Sequence, residues 1–189
     1  MNPYSQWSSN AQGGAPSVFG ALPYPAPSSW PSSPSELTTL YFTSFNPTIL
    51  NCTTVGPQSQ PWFSVTTDSS MPGYTVFKDR KGRNVGLIEW QSHPAVEVRS
   101  LVQRQNASGW LRLSRDRSHR SMEVRGAQYT WAPTDQYIFL YSHSGTVLAR
   151  ICKSTNVVTL ELTTSAMQLG LLEPAVVATV LLQCGRNID

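Results

Sequence analysis

Eleven of the chain's 14 Lys and Arg residues fall between Lys78 and Arg125, against five acidic residues in the same stretch. Phosphate is the chemistry that such a concentration of cations suits best. Two clusters dominate it: the turn Lys78-Asp79-Arg80-Lys81-Gly82-Arg83, and the stretch from Arg112 to Arg120. If the fold brings them to one rim, Lys78, Arg80, Lys81, Arg83, Arg112, Arg115, Arg117 and Arg120 would hold the phosphates of an inositol lipid head group or an anionic bilayer surface. The ordinary alternative is a solvated, salt-bridged surface. The rest of the chain is slightly acidic, which brings the net charge to +3. Nucleic acid is disfavoured as a partner, because the cations are not interleaved with an aromatic RNA-binding motif.

Catalytic patterns are absent from the sequence. There is no G-x-S-x-G elbow, no G-x-x-x-x-G-K-[ST] loop, no H-E-x-x-H and no G-x-G-x-x-G. His93, His119 and His143 stand beside a proline, in an arginine run and in a hairpin turn, a spacing that does not suggest a metal trio. Glu89 and Glu97 lie on expected strands, where they read as strand-surface charges or arginine partners rather than an acid/base pair. Cys52, Cys152 and Cys184 are odd in number and far apart, as in a reduced intracellular protein, and Cys184 reads as a small buried hydrophobe. The expectation is a protein with no enzymatic activity, no cofactor and no metal.

The elements that must position these residues are β in texture. Residues 1–35 carry prolines at 3, 16, 23, 25, 27, 31 and 34 among serines, with no charge and no periodic apolar face, so this segment is expected to be a disordered tail. It lacks the basic and apolar regions of a secretory signal, which points to the cytoplasm, at a membrane periphery, or to the nucleus. Its aromatics Tyr4, Trp7, Phe19, Tyr24 and Trp30 have no local core to join and are candidate contacts for a protein partner. From Glu36 a single domain, residues 36–189, is expected. Short runs rich in β-branched and aromatic residues recur between turn formers, among them Leu37–Phe45, Pro61–Thr67, Tyr74–Lys78, Asn84–Gln91, Ala95–Arg99, Gly109–Leu113, Ser121–Val124, Gln128–Ala132, Tyr137–Tyr141, Val147–Cys152 and Val157–Leu162. Trp62, Trp90, Trp110 and Trp131 sit in or at the start of such strands and read as core or rim packing.

The chain finishes on LGLLEPAVVATVLLQC, Leu169 to Cys184, apolar on every face and too short to span a membrane comfortably, so it must be buried within the fold. Periodicity alone leaves helix and buried strand open. Pro174 in a first turn and Gly185 at a C-terminus favour a helix over Leu171–Cys184. Many short strands and one apolar terminal segment predict a closed or nearly closed antiparallel β-barrel around a hydrophobic C-terminal helix.

The ordered set V-G-L-I-E-W (Val85 to Trp90), the basic stretch Trp110 to Arg120, Q-Y-T-W (Gln128 to Trp131), S-G-T-V-L-A-R (Ser144 to Arg150) and L-L-E-P-A-V-V-A-T-V-L-L (Leu171 to Leu182) resembles a family of mushroom-forming fungi, domain of unknown function 6593. Such domains look like relatives of the tubby, LURP-one and phospholipid scramblase barrels, some of which bind phosphoinositides. The resemblance implies a barrel around a central helix, and it transfers no catalytic residue. Glu173-Pro174 and Arg125-Gly126-Ala127 depart from the family pattern. Two readings of function follow. One is a non-enzymatic intracellular binding or adaptor domain that engages anionic phospholipid through its basic surface; the other is a structural or regulatory protein-interaction domain with no lipid ligand.

Overall fold

The computed structural model describes residues 30–31, 36–154 and 156–189. The expected tail, 1–35, lies outside the described residues except for Trp30 and Pro31. The described residues form thirteen strands: β1 (Leu37–Thr43), β2 (Cys52–Val55), β3 (Pro61–Thr67), β4 (Tyr74–Asp79), β5 (Asn84–Glu89), β6 (Ala95–Val98), β7 (Val102–Asn106), β8 (Leu111–Leu113), β9 (Arg120–Val124), β10 (Ala127–Pro133), β11 (Ile138–Ser142), β12 (Val147–Lys153) and β13 (Val158–Thr163). Three α-helices accompany them among the described residues, α1 (Ala107–Trp110), α2 (Thr164–Gln168) and α3 (Leu172–Gln183), with one turn of 3-10 helix at Pro57–Ser59. All strands belong to one sheet in the order β7-β6-β5-β4-β3-β2-β1-β13-β12-β11-β10-β9-β8, and the ladders between neighbours are antiparallel.

Alternation decides which side chains enter the core. In β3, Phe63 and Val65 are buried between more exposed neighbours; in β5, Gly86 and Ile88 point inward. Those of β5 meet α3, in which every residue from Pro174 to Leu182 is buried. A helix buried on all sides must be surrounded. α3 touches β5 and β6 near one end of the strand order and β13 five places from β5, a separation of roughly 24 Å in a flat sheet. A helix about 10 Å wide reaches both only if the sheet is rolled around it. Gly86 marks how closely: a Cβ there would lie 2.9 Å from Val177 Cγ2.

The expected closed barrel needs correction. The edge strands β7 and β8 form no ladder with each other, so hydrogen bonding leaves one antiparallel thirteen-stranded sheet that does not close. The reason is local. β7 and β8 are consecutive in the chain and α1 occupies the connection, with Trp110 buried and its Nε1 donating to the Glu123 carbonyl of β9. The strand expected over Gly109–Leu113 is therefore half helical turn and half β8. β2 and β7 were not anticipated: β2 is four residues long, and β7 is an edge strand that buries only Val102 and exposes Gln103 to Asn106. The terminal segment is helical, as its start and stop residues indicated. Pro174 lies in the first turn, Gly185 follows the helix at φ 71°, and Arg186 stacks 4.6 Å from the Trp90 ring centroid. No helix among the described residues is long and apolar enough to cross a membrane.

Candidate anion-binding rim

In an all-antiparallel sheet, strands an even number of places apart run the same way. β4, β6, β9 and β13 occupy even places in the order, so the turns that follow them all emerge at one end, here the upper rim. That rim carries Lys78, Arg80, Lys81 and Arg83 from the β4–β5 turn, Arg99 from the β6–β7 turn, and Arg125 from the β9–β10 turn. β13 delivers α2 and the start of α3 to the same end. β8 occupies the thirteenth place and runs the other way, so Arg115 and Arg117 in the β8–β9 turn belong to the opposite, lower rim, and Arg112 lies on β8 itself. The two basic clusters thus do not share one rim. Sequence separation carries no record of strand direction, and the direction sets the rim.

A groove of about 430 Å³ opens at the upper rim, lined by Arg83, Asn84, Val85, Arg99, Ser100, Leu101, Arg125, Gly170 and Glu173. It brings the two ends of the strand order together, since Arg83 and Arg99 come from the β4–β6 end and Arg125 from the β9–β10 turn. The Arg125 guanidinium lies 3.6 Å from the position a Cβ on Gly170 would take. Arg99 and Arg125 were counted in the basic stretch of the sequence but not singled out, because each stands alone between apolar strands.

Local structure shapes the turns that carry these cations. The β4–β5 turn closes with Gly82 N–H donating to the Asp79 carbonyl (2.8 Å), Gly82 taking φ 75°. Asp79 accepts from the Lys81 and Arg83 amides (both 2.9 Å) and pairs with the Arg83 guanidinium at 2.7 Å. These partners, the Arg83 amide foremost, hold the Asp79 carboxyl below its usual range. Arg80 reaches back over the Trp62 ring at 5.4 Å. The β9–β10 turn is Arg125-Gly126 with φ 52° and 78°, the paired positive values of a type I′ hairpin, where Asn is the usual first residue. Among the described residues Lys78, Lys81, Arg99, Arg112, Arg115, Arg117 and Arg125 make no ion pair.

Arg120 is not a surface cation. It is fully buried on β9, and its Nη1 and Nη2 donate to Asp189 Oδ1 and Oδ2 at 2.9 and 2.7 Å, with a further bond to the Leu111 carbonyl at 2.7 Å. It fastens the chain's last residue to the sheet. Glu89 is likewise engaged, accepting from Arg104, Tyr74 and Gln91. Burial pushes the Cys52 thiol up to about 12 and raises that of Cys184, which makes both poor nucleophiles. His143 belongs to the β11–β12 turn at the upper rim, whereas His93 and His119 lie in lower-rim connections. No group of three or more His, Cys, Asp or Glu among the described residues is placed to hold a metal.

Comparison with known proteins gives a family. The family model described as "Family of unknown function (DUF6593)" matches residues 46–187. No curated protein matches the chain. Among solved structures, the X-ray structure of a protein from Arabidopsis thaliana is similar at a TM-score of 0.44 with 10% sequence identity, over 76% of this chain and 91% of that one.

Proposed function

Because the chain belongs to DUF6593, a family whose description assigns no activity, its own surface has to supply a role, and we propose that it is a non-enzymatic intracellular binding module that engages anionic phospholipid head groups through the upper rim. The observation that carries this reading is the groove in which Arg83, Arg99 and Arg125 converge from three separate turns. Its volume falls within the range of about 300–1,000 Å³ usual for small-ligand sites. Lys78, Arg80 and Lys81, on or beside the turn that supplies Arg83, enlarge the positive field. Each cation near an anionic bilayer contributes about 1 kcal/mol, so several acting together give binding that is measurable and sensitive to salt. Asp79 and Glu173 offset part of that charge and set an upper limit on it.

Arg125 adds a second line of support. A left-handed backbone costs a residue with a side chain roughly 1–2 kcal/mol, and Gly or Asn would relieve much of it at this turn. An arginine held there at φ 52°, facing the groove, is what a binding role would ask for. The resemblance to fungal proteins allied to the tubby, LURP-one and scramblase barrels is part of the same proposal, as is a cytoplasmic membrane surface as the domain's site of action.

Cosedimentation with phosphatidylcholine vesicles containing a phosphoinositide, at low and high salt, tests the reading. Binding is expected at low salt and should fall at high salt. The triple change of Arg83, Arg99 and Arg125 to Ser should reduce it at least tenfold, whereas changing Arg115 and Arg117 to Ser, at the opposite rim, should reduce it far less. No low-salt binding, or equal loss in both variants, would remove the upper rim as a lipid site.

A further inference from the structure

The outer face of β10, β11 and β12 carries a second apolar cluster, apart from the core around α3. Ala132, Phe139, Tyr141 and Val147 are buried in it, with Tyr137 packed against them. The outer face of an antiparallel sheet ordinarily meets water, yet β11 is buried on both sides from Ile138 to Tyr141. Something must cover it, and part of the cover is Trp30. The indole stands edge-on to Phe139 with centroids 6.0 Å apart. The Arg150 guanidinium lies 4.6 Å from the Trp30 ring centroid and 4.7 Å from that of Tyr137. Arg150 is itself held by Glu161, its partner in register on β13. A planar cation fixed by a carboxylate between two aromatic rings is a built feature, since a lysine in its place would lack the flat face.

The chain's geometry supplies the occupant. β1 begins at Leu37, and β11 lies three places from it, roughly 14 Å across the sheet. Seven Cα-to-Cα steps separate Trp30 from Leu37, and a chain of that length spans up to about 24 Å, more than the distance to be covered. Pro31 follows with a fixed φ and no N–H, which favours an extended approach. The sequence reading of Trp30 as an aromatic with no core to join is thereby corrected.

We propose that this outer face is a recognition site for a tryptophan–proline peptide segment, and that Trp30-Pro31 is its resident ligand, bound in cis. A ligand tethered by so short a linker acts at an effective concentration in the millimolar range. The same segment offered on a separate peptide therefore meets a filled site in the wild-type chain and an empty one when Trp30 is removed.

The test uses the full chain, wild type and Trp30→Ala, with a fluorescein-labelled peptide of the sequence of residues 26–35 followed by anisotropy. Saturable binding to Trp30→Ala is expected, at least tenfold weaker binding to the wild type, and none by a peptide carrying Ala in place of its Trp. A folded Trp30→Ala chain that does not bind the peptide, or binds it no better than the wild type does, overturns the proposal. Should Trp30→Ala fail to fold, Arg150→Lys in the full chain gives a second readout. Hydroxyl-radical footprinting at Trp30 is expected to rise at least threefold over the wild type, and an unchanged footprint overturns the proposal.

Discussion

Arg120 and Asp116 are four residues apart and have opposite fates. Arg120 is buried against Asp189, 69 positions away in the chain, while Asp116 sits on the exposed β8–β9 turn. Nothing near Arg120 in the sequence announces its burial, because its partner is supplied only when the C-terminus returns to the sheet. Removing one member of such a pair leaves the other uncompensated. Asp189→Asn, which leaves the fully buried guanidinium without its countercharge, and Arg120→Ala, which leaves a cavity beside a partly exposed carboxylate, are each expected to cost about 3 kcal/mol or more; lowered denaturant midpoints would show it. Asp116 is held down to about 2 by the Ser114 hydroxyl first, then by the Ser118 amide and hydroxyl. A carboxyl lowered in the folded state stabilises the fold above its ordinary value of 3.8, and that contribution fades as pH falls toward about 2. An NMR titration should therefore show the Ser118 amide shifting in that window, with no inflection between pH 5 and 7 from this carboxyl.

Among the elements, α3 and the β9–β10 turn separate stability from function. α3 has no polar face, so a charge anywhere along its middle enters the core. Val177→Lys is expected to cost about 4 kcal/mol or more, visible as loss of the folded protein in a thermal melt. Gly86→Val would press a side chain into Val177 from the sheet side and cost about 1–3 kcal/mol by overpacking. The β9–β10 turn behaves in reverse. Arg125→Asn relieves a left-handed arginine and should raise stability by up to about 1 kcal/mol while weakening vesicle binding. Opposite signs in the two assays would assign Arg125 to binding; a loss in both would make it structural. Strand existence was legible in runs such as Pro61–Thr67, where apolar and polar residues alternate, and it was not legible in β7, whose polar edge carries one buried residue. The unbroken apolar run Ile138 to Tyr141 did carry a signal of burial on both faces, although not of what covers the outer one.

For the molecule as a whole, α3 is the body around which both halves of the sheet are wrapped. A chain ending at Gly170 is expected to lose cooperative unfolding altogether, since the inward faces of β5, β6 and β13 would open on an empty centre; a broad, featureless calorimetric trace would show it. The sequence by itself determined that the protein is mainly β, where most strands lie, and that the apolar terminus is an interior helix. Those properties follow from local alternation, turn residues and capping, which act within a few positions. Only the tertiary structure decided that β7 and β8 leave the sheet unclosed, that Arg83 and Arg99 meet Arg125 in one groove while Arg115 and Arg117 face the other way, that Arg120 is buried, and that Trp30 is seated on β11. Each of these depends on strand order and direction around α3, a long-range arrangement that fixes which distant residues become neighbours and that no local pattern of residues encodes.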